Sequence, residues 1–287
     1  MKKALCVGIN NYPGFNNDLR GCVNDANDWA AILENAGFEV AKILDDQATK
    51  QKILTSLEAL IVNASAGDEI VFTYSGHGTQ VADYSGDEID GYDEALYVYD
   101  GSIVDDELRE ILQKTPQDVH VVVIADSCFS GTVTRALDSG TARPRFVKTE
   151  DIPATASLKK HLLADEDMVE ALLTGCSDSE YSYDAEINGR WNGAMTAYAT
   201  SVMRAGQTWK DFYQQLRLHL PSEAYPQTPQ LEGSEDNKNR LVFATNDEPL
   251  PHPDPVDGPA SFWDWVKKYW WVLLLLVVIG IVLWRVL

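Results

Sequence analysis

Short apolar runs alternate along this chain with longer stretches whose apolar residues recur every three or four positions. Ala4–Ile9, Phe38–Leu44, Glu69–Tyr74, Val119–Ala125 and Met168–Thr174 are short, rich in β-branched residues and bounded by turn formers. Runs of that kind predict buried strands. Between them, 24–35 carries Trp29, Ile32 and Leu33 at helical spacing and meets a stop signal at Gly37. Helices are likewise expected at 50–63, about 105–113, 191–203 and 208–218, and a last short strand at 240–244. Residues 132–166 have no clear period and hold six basic residues, which reads as a surface loop. Alternating strands and helices imply an α/β fold, a mainly parallel β-sheet flanked by helices on both faces.

Three regions follow from composition. Residues 1–245 form the folded domain, and 246–265 are a proline-rich acidic linker suited to an extended, solvated chain. Residues 266–287 are expected to be one transmembrane helix. The uncharged run 269–284 spans about 24 Å at about 1.5 Å per residue, against a hydrocarbon core of about 30 Å. Arg285 at its end can snorkel. Trp263, Trp265, Tyr269, Trp270 and Trp271 on one side and Trp284 on the other suit the two interfaces. Lys267 and Lys268 precede the span, so the positive-inside bias places the large domain in the cytoplasm, with membrane lipid as a partner. The run after Lys2 and Lys3 breaks at Asn10-Asn11 without a cleavage site, so it reads as a strand rather than a signal peptide. A formal charge of −21 argues against nucleic acid, whose phosphates such a surface repels. Cys6, Cys22, Cys128 and Cys176 are widely spaced, which suggests neither a disulfide framework nor a zinc site.

Two strand ends carry chemistry. Tyr74-Ser75-Gly76-His77-Gly78 follows one apolar run and Asp126-Ser127-Cys128-Phe129-Ser130-Gly131 follows another. Open α/β sheets place their active sites beyond the carboxyl ends of their strands. A cysteine becomes a strong nucleophile beside a base, and histidine supplies one. Glycines around both residues let a backbone approach and leave N–H groups free for an oxyanion.

These stretches, with Val7-Gly8-Ile9-Asn10-Asn11-Tyr12, Leu19 to Ala26, Gly86 to Glu94 and Gln227-Thr228-Pro229-Gln230-Leu231, resemble the caspase-like cysteine peptidases, specifically prokaryotic metacaspases. The segments keep the family's order over roughly residues 3–245. Phe129 stands where the family often has a histidine that is not the catalytic base. The resemblance implies a caspase-like fold and an endopeptidase working through a dyad, with Cys128 as nucleophile and His77 as base and later acid. The backbone N–H groups of Gly78 and Cys128 would form the oxyanion hole. Cys22, Asp25, Ser75 and Asp126 would line the pocket for the side chain before the scissile bond, with Tyr183 and Asp184 extending the substrate groove. Carboxylates in a narrow pocket call for a cationic partner, so protein or peptide substrates with Arg or Lys before the cut are expected.

Asp83–Glu94 packs six carboxylates into twelve residues. Their mutual repulsion suits either calcium or a solvated acidic loop. The spacing does not fit an EF-hand. Resemblance to calcium-activated metacaspases points to Asp93, Asp105 and Asp106, while an expected further aspartate is replaced by Arg135. Self-cleavage is expected in the 132–166 loop, at Arg135, Arg145, Lys148, Lys159 or Lys160, with Arg143 protected by Pro144. The competing readings are a catalytically silent membrane scaffold, disfavoured by the intact His77, Cys128, Asp25 and Asp126, and a calcium-responsive sensor.

Overall fold

The computed structural model describes residues 1–14, 17–82, 92–128, 140–147 and 165–243. Its central sheet has six strands in the order β2 (Glu39–Leu44), β1 (Lys2–Gly8), β3 (Glu69–Ser75), β7 (His120–Asp126), β9 (Glu170–Thr174) and β12 (Gln230–Glu232). All neighbours are parallel except β12, which runs antiparallel to β9 at the edge. β3 and β7 are buried along their whole length, as expected of strands covered on both faces. β2, the opposite edge strand, is exposed or half-buried except at Ile43.

Side chains alternate across the pleat, so each strand feeds two cores. Leu5, Val7, Ile70, Phe72, Val121 and Val123 share one core with Ile53, Leu57 and Ile61 of α2 (Lys50–Val62) and with Ile111 and Leu112 of α3 (Asp105–Leu112). α1 (Cys22–Asn35) buries Cys22, Ala26, Trp29 and Leu33 against β1 and β2 and also meets α4 (Ala194–Val202). There Phe243 gathers the rings of Trp29, Phe38 and Trp209, the last from α5 (Trp209–Leu216), with centroids 5.4–6.4 Å away. Thr208 caps α5 through a reciprocal pair with Asp211, a local signal present in the sequence.

Two small antiparallel sheets flank the active end. One comprises β4 (His77–Ala82), β5 (Tyr92–Val98) and β6 (Gly101–Val104). The other comprises β8 (Ala142–Pro144), β10 (Tyr183–Ile187) and β11 (Arg190–Gly193). A short α6 (Glu235–Lys238) completes the described chain.

Four expectations need correction. The acidic segment expected as a loop to Glu94 has entered β5 by Asp93, where cross-strand bonding to β4 outweighs its charge density. Residues 132–166 are not simply an exposed basic loop, because 142–144 pair with β10. The helix expected from Trp191 starts at Ala194, since 190–193 complete a hairpin with β10. The final strand is Gln230–Glu232 rather than 240–244, where Leu241 makes an isolated bridge to Thr208. Among the described residues no helix is long and apolar enough to cross a membrane. The linker and the expected span at 266–287 lie outside the described residues.

Candidate active site

Adjacent parallel strands bring the histidine and the cysteine to one end of the sheet. Ser75 of β3 is in register with Asp126 of β7, and His77 and Cys128 each lie two residues further on. Both are buried. The His77 backbone N–H donates to the Tyr12 hydroxyl at 2.9 Å, and the Tyr74 hydroxyl donates to the His77 carbonyl at 2.8 Å. Nε2 lies 2.7 Å from the Asn17 carbonyl, which fixes the ring. Nδ1 is buried and has no hydrogen-bond partner among the described residues. Burial pushes the imidazole pKa down to about 4, against the opposing pull of the Asn17 carbonyl. The ring is therefore neutral at physiological pH and able to accept a proton.

Cys128 Sγ faces the peptide of Ser182, accepting from its N–H at 2.7 Å and donating to its carbonyl at 3.1 Å. The thiol thus rests on the backbone just before β10 rather than on the imidazole. Cys176 lies beside it, and hydrogen bonding to Cys128 together with burial drives the Cys176 thiol well above its usual pKa. Gly78 is required by space, because a Cβ there would collide with the Cys128 carbonyl oxygen.

The carboxylate pocket is filled. Arg145, fully buried, sets Nη2 at 2.7 Å from Asp25 and 3.0 Å from Asp184, and Nη1 at 3.3 Å from Asp126. Nη1 also donates to the Ser75 hydroxyl at 3.2 Å and to the Asp126 carbonyl at 3.0 Å. Cys22 is a further electrostatic neighbour of the guanidinium. Burial opposes the charge on Arg145, but Cys22, Asp126, Asp25 and Asp184 outweigh it and hold the guanidinium protonated well beyond its usual range. The four residues expected in this pocket, Cys22, Asp25, Ser75 and Asp126, and Asp184, expected in the groove, thus gather around a single cation.

Each acid is also oriented by the fold. Asp25 accepts from Asn192 Nδ2 at 2.9 Å and from the Gly193 N–H at 3.0 Å, and burial raises its pKa, with Arg145 opposing and Asp126 reinforcing. Asp184 accepts the backbone N–H groups of Arg20 and Gly21 at 2.8 and 2.9 Å. Asp126 accepts from the Thr196 N–H and hydroxyl at 2.9 and 2.7 Å, in the first turn of α4. That negative charge also complements the positive end of the helix. A side chain at Gly193 would strike the Asp126 carboxylate and the guanidinium.

Several contributors had no signal of their own in the sequence. Ser182, which holds the thiol and donates to Asp126, is one. Tyr183, expected in the groove, pairs with Pro144, and its N–H donates to Gln227 Oε1 at 3.0 Å. Gln227 Nε2 in turn donates to the Gly175 carbonyl at 2.8 Å, so the Gln-Thr-Pro stretch braces β10. Asp105 and Asp106 are tied to Arg109 at 3.1 and 2.9 Å, and Asp93 is buried in β5. Among the described residues no three acids, histidines or cysteines gather to hold a metal ion. A recess lined by Phe72, Leu96, Ile103 and Leu112 includes neither His77 nor Cys128.

A buried cysteine and histidine at adjacent strand ends, beside an acidic pocket, define a caspase-like peptidase. The comparisons with known proteins agree. The family profile of the metacaspase, peptidase C14 domain, matches residues 2–137. Metacaspase-1 of Botryotinia fuckeliana is 33% identical over 84% of this chain and 70% of its own length, and Metacaspase-1 of Yarrowia lipolytica is 33% identical over 84% and 63%. The chain thus spans about two thirds of the length of these relatives. A crystal structure of a Geobacter sulfurreducens protein superposes with a TM-score of 0.68 at 28% identity, covering 85% of this chain and 98% of that one. Caspase-1 of Spodoptera frugiperda shares the fold, with a TM-score of 0.52 at 12% identity over 86% of this chain and 90% of its own. The chain belongs to the metacaspases, cysteine peptidases of the C14 family.

Proposed function

We propose that this metacaspase is an endopeptidase that cuts proteins after Arg or Lys through a Cys128/His77 dyad. His77 accepts the Cys128 proton and later delivers it to the leaving amine. The N–H groups of Gly78 and Cys128 receive the oxyanion. Cys22, Asp25, Ser75, Asp126 and Asp184 bind the cationic side chain. The observation that supports this reading most is a guanidinium ion-paired to three buried carboxylates while its own carbonyl faces those two N–H groups. Such a site disfavours an acidic side chain, which would place a fourth buried anion among three. Hydrolysis of matched arginyl, lysyl and aspartyl peptides, with Cys128→Ala as control, tests the assignment. Comparable rates on arginyl and aspartyl peptides would sink it.

The 266–287 segment supports a second part of the reading, a single span holding the peptidase at a membrane on its cytoplasmic side. Its support is the uncharged 269–284 run, the flanking tryptophans and the Lys267-Lys268 pair. Alkaline extraction of membranes tests it. Full-length protein released into the soluble fraction would remove the anchor.

A further inference from the structure

Two thiols meet at the active end of the sheet, and the proposed peptide hydrolysis uses one of them. β7 and β9 are neighbouring parallel strands, with Ala125 in register with Thr174. The Gly175 N–H donates to the Ala125 carbonyl at 2.9 Å, which carries the pairing past the end of β9. Cys128 and Cys176 each lie two residues beyond these strands, and both are buried and free. Neighbouring strands run about 4.8 Å apart and the Cα atoms of a disulfide stand about 4.4–6.8 Å apart, so two such ends deliver thiols at bridging range. The chain from 176 to 182 then turns around the pair. Cys176 Sγ lies 3.7 Å from the carbonyl of Ser127, the residue before Cys128, and 3.4 Å from that of Glu180. Cys128 Sγ meets the Ser182 peptide at the far end of the same turn. The two thiols are also hydrogen-bonded to each other. Cys6, by contrast, lies within β1 opposite Thr73, and Cys22 opens α1 beside the guanidinium.

The surroundings assign the two thiols different roles. Cys128 accepts a backbone N–H at 2.7 Å and has His77 as its proposed base, so it is the thiol placed to lose a proton and react. Cys176 faces two carbonyl oxygens, which hold its proton in place. Its pKa stands well above the usual thiol value, raised first by the Cys128 thiol and then by burial.

Resting on the reading of Cys128 as nucleophile, we propose that Cys176 is its resolving thiol. A hydroperoxide oxidises Cys128, and Cys176 closes a reversible Cys128–Cys176 disulfide that silences the peptidase and spares its nucleophile. The opening that admits a peptide to Cys128 also admits an oxidant as small as hydrogen peroxide. The Cys128 sulfur attacks one peroxide oxygen and the O–O bond breaks. The departing hydroxide takes up the proton that the thiol has lost, leaving a sulfenic acid and one water. The Cys176 sulfur then attacks the Cys128 sulfur and the S–O bond breaks. The hydroxyl leaves with the Cys176 proton as a second water, and two electrons have passed from the thiol pair to the peroxide. A dithiol reductant restores both thiols by exchange. Without a resolving thiol, the sulfenic acid goes on to sulfinic acid, which dithiols do not reduce.

The full-length chain tests this. Wild type, Cys176→Ala and Cys176→Ser are reduced with dithiothreitol, exposed to hydrogen peroxide, quenched with catalase and then reduced again. Hydrolysis of an arginyl peptide is read at each stage against the same protein before oxidation, and unreduced digests are mapped by mass. All three should lose activity to peroxide. Wild type should show a linked peptide pair joining Cys128 to Cys176 and regain most of its starting activity with dithiothreitol. Cys176→Ala should regain about tenfold less, with sulfinic acid at Cys128. Cys176→Ser keeps the size and hydrogen bonding of the side chain without a thiol, so it should match Cys176→Ala. If the alanine variant fails to fold, the serine variant and the wild-type mass map decide. Activity untouched by peroxide, inactivated wild type without the 128–176 link, a link from Cys128 to another cysteine, or recovery of Cys176→Ser equal to wild type overturns the inference and leaves the dyad standing. Absence of hydrolysis by reduced wild type removes the reading of the site, and this inference falls with it.

Discussion

The two halves of the site are built to different standards of completion. On the pocket side, every carboxylate has partners besides the guanidinium: Asp25 has Asn192 and Gly193, Asp184 has Arg20 and Gly21, and Asp126 has Ser182 and Thr196. Buried charges persist only when paired and hydrogen-bonded, and here both conditions are met. On the chemical side, His77 Nδ1 has no hydrogen-bond partner among the described residues and the Cys128 thiol is engaged by Ser182. Under the proposed function, the cation pocket is thus assembled in advance, whereas the thiol must first leave the Ser182 backbone.

That contrast can be broken most severely on the chemical side. Cys128→Ala and His77→Ala should lower turnover of an arginyl peptide by about 10⁴-fold or more, because the members of a nucleophile–base unit act together. Retained fold in circular dichroism, with activity lost, is the expected pair of results. Near wild-type turnover in either variant would remove the dyad.

On the pocket side, Asp25→Asn breaks a fully buried ion pair, at a cost of about 3–5 kcal/mol, and should lower kcat/KM for arginyl peptide by about 10²- to 10⁴-fold. Asp126→Asn should act similarly and also lower Tm, since Asp126 serves the first turn of α4 as well. A Tm change with unaltered Arg preference would assign these acids to stability alone.

A pH profile separates the halves more gently. Asp25 has its pKa raised by burial, so protonating it as pH falls removes a negative charge from the pocket and weakens cation binding at a pH above the ordinary carboxylate value of about 4. His77, held down to about 4, stays neutral over that interval and can still accept a proton. The acid-side loss of kcat/KM should therefore follow the pocket and vanish in Asp25→Asn. A limb unchanged by that substitution would shift its origin to the dyad.

The smallest effect expected is from calcium removal. Arg109 already neutralises Asp105 and Asp106, and a hard cation needs several free oxygen ligands. Chelation should change turnover of an arginyl peptide by less than about twofold. A larger loss restored by calcium would return Asp93, Asp105 and Asp106 to the role their resemblance implied.

Much of this was legible in residue order, because the signals are local. Uninterrupted apolar runs identified β1, β3, β7 and β9, periodic stretches identified α1, α2 and α5, and the strand-end positions of His77 and Cys128 followed from them. The acids of the pocket came from resemblance rather than pattern, since Asp25 on a helix and Asp184 in a strand give no sign of meeting. Strands such as β8 and β10 were missed because short polar segments become strands only when a neighbouring edge supplies their hydrogen bonds.

The sequence by itself determined the α/β alternation, the strand ends that carry the chemistry, the net acidity and the apolar tail, all properties readable within a few turns or a few pleats. Tertiary structure alone decided which cation of residues 132–166 enters the pocket. Arg145 has no local distinction from its basic neighbours. Its selection depends on the reach from β8, in register with β10, to three carboxylates brought from α1, β7 and β10, and a guanidinium is buried only where such charges converge.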